Sequence, residues 1–368
     1  MYASLDKLTI HGFKSIKELR DLQLKKLNVF VGANGCGKSN FISFFKMLHS
    51  LMDGNLFEYL RKNGGIGDIL YNGRKTTQEM TFEMHFGERG YRFTLNPTLR
   101  ESMALTDEAI YYQGHWRELG NSYDVFSLLV KEAKGGSSDA EFTKPVYDSI
   151  MSWVAYHFHD TGPRAPMRHS EITADHGALR PNASNIAPFL LHIRDNSADE
   201  YNEILNACRL ALPFLKEFIF QEQLFGSANE KRKVNLSWRT KQSDYPWQTY
   251  HLSDGSIRFI CLATALLQPN PPSTLIIDEP ELGLHPEAIR LLGELIKSAA
   301  WRTQVIIATQ SPLLLDQFGI EDIVVVNRQD DQSVFERLNQ KDFDEWLEDY
   351  TTGELWAKNV IHGGSNYE

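Results

Sequence analysis

A short, largely apolar run, "LNVFV" (Leu27 to Val31), leads directly into "GANGCGKS" (Gly32 to Ser39), and an apolar helical pattern follows at once. Few sequence features restrict a fold as much as GxxxxGK(S/T) held between a strand and a helix. The glycines let backbone N–H groups close around phosphate oxygens, and the helix that starts there adds the positive end of its dipole. A lysine at the seventh position neutralises the β- and γ-phosphates, and the following hydroxyl is placed to ligate Mg²⁺. The candidate nucleotide-binding residues are therefore Gly32, Ala33, Asn34, Gly35, Cys36, Gly37, Lys38, Ser39 and Asn40.

A second acidic motif lies far downstream. "STLIID" is a continuous apolar run ending in acid, as expected of a buried parallel strand. Asp278 at its end stands where a Walker B carboxylate completes a Mg²⁺ shell, and Glu279 beside it is placed to orient or deprotonate a water. Between the two motifs, "LSDGS" opens another helical pattern, whose inward face is Ile257, Ile260, Cys261 and Leu267. By itself Ser253 reads as a helix N-cap. With Gly255, and in this order between the two motifs, it also resembles the LSxG signature of ABC-type ATPases.

The remaining chain divides by periodicity. "LDKLTIHGF" and "KKLNVFVG" read as two strands around a polar turn, and Phe41, Phe44, Phe45, Leu48 and Met52 mark a helix after the phosphate loop. In "MTFEMHFGERGYRFTL", Met80, Phe82, Met84 and Phe86, then Tyr91, Phe93 and Leu95, alternate with polar residues as in a half-buried hairpin. "AIYYQGHWREL" extends this meander. The next hundred residues look mainly helical, with "YNEILNACRLALPFLKEFIF" the clearest segment, before "KVNLSWRT" alternates again through Val234, Leu236 and Trp238. Pro286 suits the first turn of "HPEAIRLLGELIKSAA", and "TQVIIAT" and "DIVVVNR" read as two more buried strands. Strand–helix–strand order implies a parallel sheet with crossover helices.

Composition narrows the function classes. A net charge of −10 over 368 residues argues against a protein coated for nucleic acid, although local basic segments remain. These are the loop carrying Arg164, Arg168, His169 and Arg180, and the stretch "NEKRKVNLSWRTK". Three cysteines at unrelated spacings make neither a disulfide framework nor a zinc site. "HFHD" lacks the further histidine of a metallohydrolase motif, with Gly162 in its place, and His157 and His159 are expected on one face of a strand end. With no signal-like start and no apolar run long enough to span a bilayer, a cytoplasmic location is expected.

Taken together, "LTIHGFKSI", "VGANGCGKSN", "LSDGSIRF", "LIIDEPELGLHP" and "IIATQSPLLL" resemble the ABC-class ATPases of the SMC/RecF/OLD-like branch, over nearly the whole chain. "TTGELWAKNVIHGG" resembles the ending of small stand-alone members that have neither a coiled coil nor a nuclease domain. The resemblance implies an α/β P-loop NTPase with a RecA-like core, an inserted antiparallel β-subdomain and a helical lobe. The expected division is 1–75 for the core with Walker A, 76–120 for the β-subdomain, 121–245 for the helical lobe and connecting strands, 246–330 for signature, Walker B and switch, and 331–368 for a C-terminal cap.

It also implies slow hydrolysis of ATP with Mg²⁺, with Ser39 and Asp278 at the metal and Glu279, Lys38 and Gln310 in catalysis. Gln310 stands where the family commonly has a switch histidine, and His159 or Asp160 is the candidate for the Q-loop position. Ser253 and Gly255 correspond to the signature that caps the γ-phosphate of a second copy in a head-to-tail ATP sandwich, with Leu282, Gly283 and Leu284 crossing the dimer interface. Function is then expected to lie in gating a separate effector protein, as the sensor of a prokaryotic defence system, with DNA repair in the manner of RecF as the alternative.

Overall fold

A computed structural model describes residues 4–99, 102–120, 126–135, 140–225 and 231–361. The last residues of "TTGELWAKNVIHGG" and the start of "NEKRKVNLSWRTK" lie outside the described residues.

The framework is a six-stranded sheet in the spatial order Gln332–Arg337, Ile323–Gln329, Leu27–Val31, Gln304–Thr309, Thr274–Asp278, Trp153–Tyr156. All neighbours run parallel except the edge strand Gln332–Arg337. Such a sheet needs cover on both faces, so its strands are apolar without alternation. Every residue of Leu27–Val31 and Gln304–Thr309 is buried.

One face, through Leu275, Ile277, Val305 and Ile307, packs against the helices Ile186–Asn196, Ala198–Ala211, Asp254–Leu267 and Pro286–Arg302. The opposite face, through Ile276, Ile306, Val324 and Val326, packs with the helix Lys38–Met52 and a second sheet. Phe41, Phe44, Phe45, Leu48 and Met52 all point into this second core, as their spacing predicts. The second sheet is antiparallel, in the order Ile16–Gln23, Lys7–Phe13, Met80–Phe86, Arg89–Pro97, Met103–Tyr112, His115–Gly120. Its strand Met80–Phe86 buries alternate residues, as the sequence pattern requires.

Three local expectations need correction. The N-terminal segment holds three strands, because the expected polar turn contains the strand Ile16–Gln23. This strand is hidden to a period-two search: it buries Ile16, Leu19 and Leu22, every third residue, around an irregular register opposite Leu8 and Ile10. Asp21 there has φ of 49°, which re-aims the chain. Next, "YNEILNACRLALPFLKEFIF" is helical only as far as Ala211. Pro213 follows closely, and the residue before a proline is pushed out of helical geometry. From Leu215 to Phe225 the chain is a strand, paired with Lys231–Thr240 so that Phe218 faces Trp238 and Phe220 faces Leu236. Finally, His157 and His159 lie beyond the four-residue edge strand Trp153–Tyr156, with their rings stacked at 4.4 Å.

Candidate nucleotide site

The site assembles where three parallel strands end side by side. Leu27–Val31 opens into the glycine-rich loop, Thr274–Asp278 ends at the acidic pair, and Gln304–Thr309 ends one residue before Gln310. Asn34, Gly35, Gly37, Lys38, Ser39, Asn40, Glu279 and Gln310 line one recess of about 140 Å³. Segments far apart in sequence thus converge on the helix N-terminus that the loop motif prescribes.

Within the loop, the buried Lys38 Nζ donates to the carbonyl oxygens of Gly32, at 2.5 Å, and Ala33, at 3.0 Å. Gly37 has φ of 117°, and a Cβ there would overlap the Ser333 and Ser15 hydroxyls, so only glycine fits. Those hydroxyls brace the loop from behind: Ser333 Oγ donates to the Cys36 carbonyl at 2.6 Å, and Asn40 Nδ2 donates to Ser15 Oγ at 2.8 Å. Asn40 therefore lines the recess while its amide is engaged behind the loop.

Asp278 and Glu279 are half-buried at the strand end. Desolvation raises the Asp278 carboxyl above the usual range, although a hydrogen bond from Ser39 opposes this. Its Oδ1 is buried and has no hydrogen-bond partner among the described residues. An unpartnered carboxylate oxygen beside a serine hydroxyl suits a hard divalent cation, so the residues fit Mg²⁺. Glu279 sits at φ of 44°, an uncommon conformation for a side chain of its kind, held by a 2.8 Å bond from its N–H to the Ala308 carbonyl. Gln310 Nε2 donates to Glu279 Oε1 at 2.9 Å and to Asn34 Oδ1 at 2.7 Å, bridging acid and loop.

The raised Asp278 carboxyl carries a stability consequence. Above its folded-state pKa the ionised group is costly to bury, and below the unfolded value it is protonated in both states, so the cost vanishes. Asp278→Asn is expected to raise the melting temperature without Mg²⁺ at pH 7.5, on the order of a few degrees. The gain should close as pH falls toward about 4, which thermal unfolding across pH will show.

Neither Ser253 nor Gly255 lines the recess. Ser253 caps the helix Asp254–Leu267, accepting from Ser256 N at 3.1 Å, and remains exposed. Gly255 packs so closely on the segment after Glu279 that an added Cβ would lie 2.3 Å from the Gly283 carbonyl oxygen. Ser253, Asp254, Leu282 and Gly283 therefore share an exposed surface.

Several linking side chains escape a motif search. Buried Arg258 donates to the carbonyls of Phe158, His159 and Leu282, tying the helix Asp254–Leu267 to both neighbouring loops. His159 Nε2 lies 2.9 Å from the Asp278 carbonyl oxygen, whereas Asp160 accepts from Gly162 in its own turn. Glu281 accepts from the Thr309 hydroxyl at 2.6 Å and from Gln310 N at 3.3 Å, and burial raises its carboxyl. Arg168, expected among residues able to meet phosphates, is buried and donates to Thr161, Thr249 and Leu252 carbonyls and to Asp254. Arg164, His169 and Arg180 of that loop set are exposed, and Arg180 pairs with Asp175.

A phosphate loop, an acidic strand end and a largely parallel sheet covered on both faces define the P-loop NTPase fold. The chain belongs to the family described as "AAA domain, putative AbiEii toxin, Type IV TA system", whose model matches residues 27–316. No curated protein matches it. Among solved structures it is similar to an Smc head bound to the C-terminal winged-helix domain of ScpA, with a TM-score of 0.61 at 14% identity over 94% of this chain and 100% of that one. A Pyrococcus furiosus Smc head with an extended coiled coil, bound to the C-terminal domain of ScpA, gives 0.54 at 15% identity over 94% and 98%. A Pyrococcus yayanosii Smc head with a coiled coil and joint gives 0.52 at 12% identity over 94% and 99%. At these identities the likeness is one of fold.

Proposed function

We propose that this chain binds and hydrolyses ATP at a site completed by a second copy of itself, and that closing and opening of the pair gates a separate effector protein in a prokaryotic defence system. The observation that carries the dimer is the separation of parts: loop, Glu279 and Gln310 share one recess, while Ser253 lies exposed outside it beside the half-buried Gly255. Two such chains placed head to tail present each signature to the other's nucleotide, an isologous arrangement that closes as a dimer.

In this reading Lys38 and the loop N–H groups hold the β- and γ-phosphates, and Ser39 with Asp278 would hold Mg²⁺. When bound there, the cation would supply positive charge to offset that developing on the transferring phosphoryl. Glu279 takes a proton from the attacking water, and Gln310, bonded to it, positions that carboxylate; its second N–H, held by Asn34 Oδ1 in the free site, turns to the γ-phosphate when nucleotide binds. Glutamine carries no charge there, which supports slow turnover. The defence role is supported by the toxin–antitoxin description of the family. The net charge of −10 and the internal engagement of Arg168 weigh against a DNA-acting enzyme.

Affinity capture from the native host with ATP and Mg²⁺, run beside filter binding of duplex DNA, tests the role. Retention of a distinct protein partner that is lost without ATP is expected, with no DNA retained at physiological salt. ATP-dependent DNA retention that falls steeply with salt would favour the repair reading instead.

A further inference from the structure

A second cavity, of about 530 Å³, lies beside the edge strand Trp153–Tyr156 and shares no residue with the nucleotide recess. Its volume is in the range of small-molecule sites. The wall is apolar: Phe45, Trp153, Leu179 and Ile276 line it, with the Phe45 and Trp153 rings packed edge to face at 5.5 Å. Among the described residues its charged lining is entirely basic, with no Asp or Glu. Arg180 and His49 have carboxylate partners outside, in Asp175 and Asp53. Lys46 has no hydrogen-bond or ion-pair partner among the described residues.

Desolvation lowers the Lys46 ammonium from its ordinary value, opposed by the charge of Asp278. A cation placed against apolar walls with no ion-pair partner in contact is costly, and a bound anion relieves that cost. The same walls disfavour a small hydrated anion such as free phosphate, which would leave the aromatic surface uncovered. We propose that this cavity is a second ligand site, taking a small aromatic or otherwise flat apolar molecule that carries one negative charge, with the charge on Lys46 and the apolar body between Phe45, Trp153 and Leu179.

Fluorescence titration of the full chain with 1-anilinonaphthalene-8-sulfonate tests this, with uncharged N-phenyl-1-naphthylamine as the comparison. Saturable binding of one sulfonate dye per chain is expected, undisturbed by saturating ATP and Mg²⁺. Lys46→Met should weaken the sulfonate at least about tenfold and the uncharged dye less than about twofold, with Lys46→Arg restoring sulfonate affinity. Leu179→Trp, which fills the cavity, should abolish binding of both dyes while ATP still binds. Sulfonate affinity unchanged in Lys46→Met, displacement of the dye by ATP, or no saturable binding to the native chain would overturn the proposal.

Discussion

Glu279→Gln is expected to lower ATP turnover by roughly 10²–10⁴-fold, the usual worth of a positioned general base, with ATP affinity nearly unchanged. The expectation follows from where the carboxylate is held. Glu279 lines the recess with the loop, its backbone is fixed at a positive φ by the bond to Ala308, and Gln310 anchors its Oε1. Glutamine preserves shape and hydrogen-bonding capacity but cannot accept the water's proton. Phosphate release under single-turnover conditions, read beside equilibrium ATP binding, separates the two effects. A variant that hydrolyses at the native rate would remove Glu279 from the chemistry.

Lys38→Ala should act earlier, at binding. The Lys38 ammonium is buried and held at the centre of the loop by the Gly32 and Ala33 carbonyls. It is therefore already in position for a polyphosphate, without paying to order a long side chain. Its removal deletes a charge-assisted contact at a desolvated position, worth about 2–3 kcal/mol, or roughly 30- to 150-fold in ATP affinity. Calorimetric titration with ATP and Mg²⁺ measures it. Circular dichroism of the variant should match the native chain, since Lys38 makes no contact on which either core depends.

These two residues were also the easiest to find from sequence, for a physical reason. The phosphate loop needs consecutive residues whose backbone and side chains act together, so the whole requirement is written in eight adjacent positions. The hairpin at Met80–Leu95 and the run Val234, Leu236, Trp238 were legible because one face of a strand is buried and the other is not. Ile16–Gln23 failed that test because its irregular register buries every third residue. Trp153–Tyr156 is too short to show any period. The segment after Pro213 kept a helical look because Phe218 and Phe220 find their partners, Trp238 and Leu236, across a hairpin.

The linking residues were illegible for a different reason. Arg258 meets the carbonyls of Phe158 and His159 about a hundred positions away in sequence, and Arg168 meets those of Thr249 and Leu252. A carbonyl acceptor belongs to every residue, so no side-chain pattern marks such a pairing. Arg168 accordingly reads as a phosphate ligand in sequence, and the fold uses it to fasten the loop before the helix Asp254–Leu267. Lys46 was hidden among the inward-facing residues of its helix, and only the edge strand opposite makes its environment visible.

Ser253 concentrates the question of function. It caps its own helix, which a serine there would do in any protein, and it is exposed beside Gly255 and Gly283. The composite-site reading requires that this same exposed serine meet the nucleotide of a second copy. Light scattering of Glu279→Gln with saturating ATP and Mg²⁺, beside Glu279→Gln combined with Ser253→Arg, decides it. A dimer for the single variant and a monomer for the double variant is the expected result. A single variant that stays monomeric, or a double variant that dimerises as well as the single, would contradict a site shared between two copies.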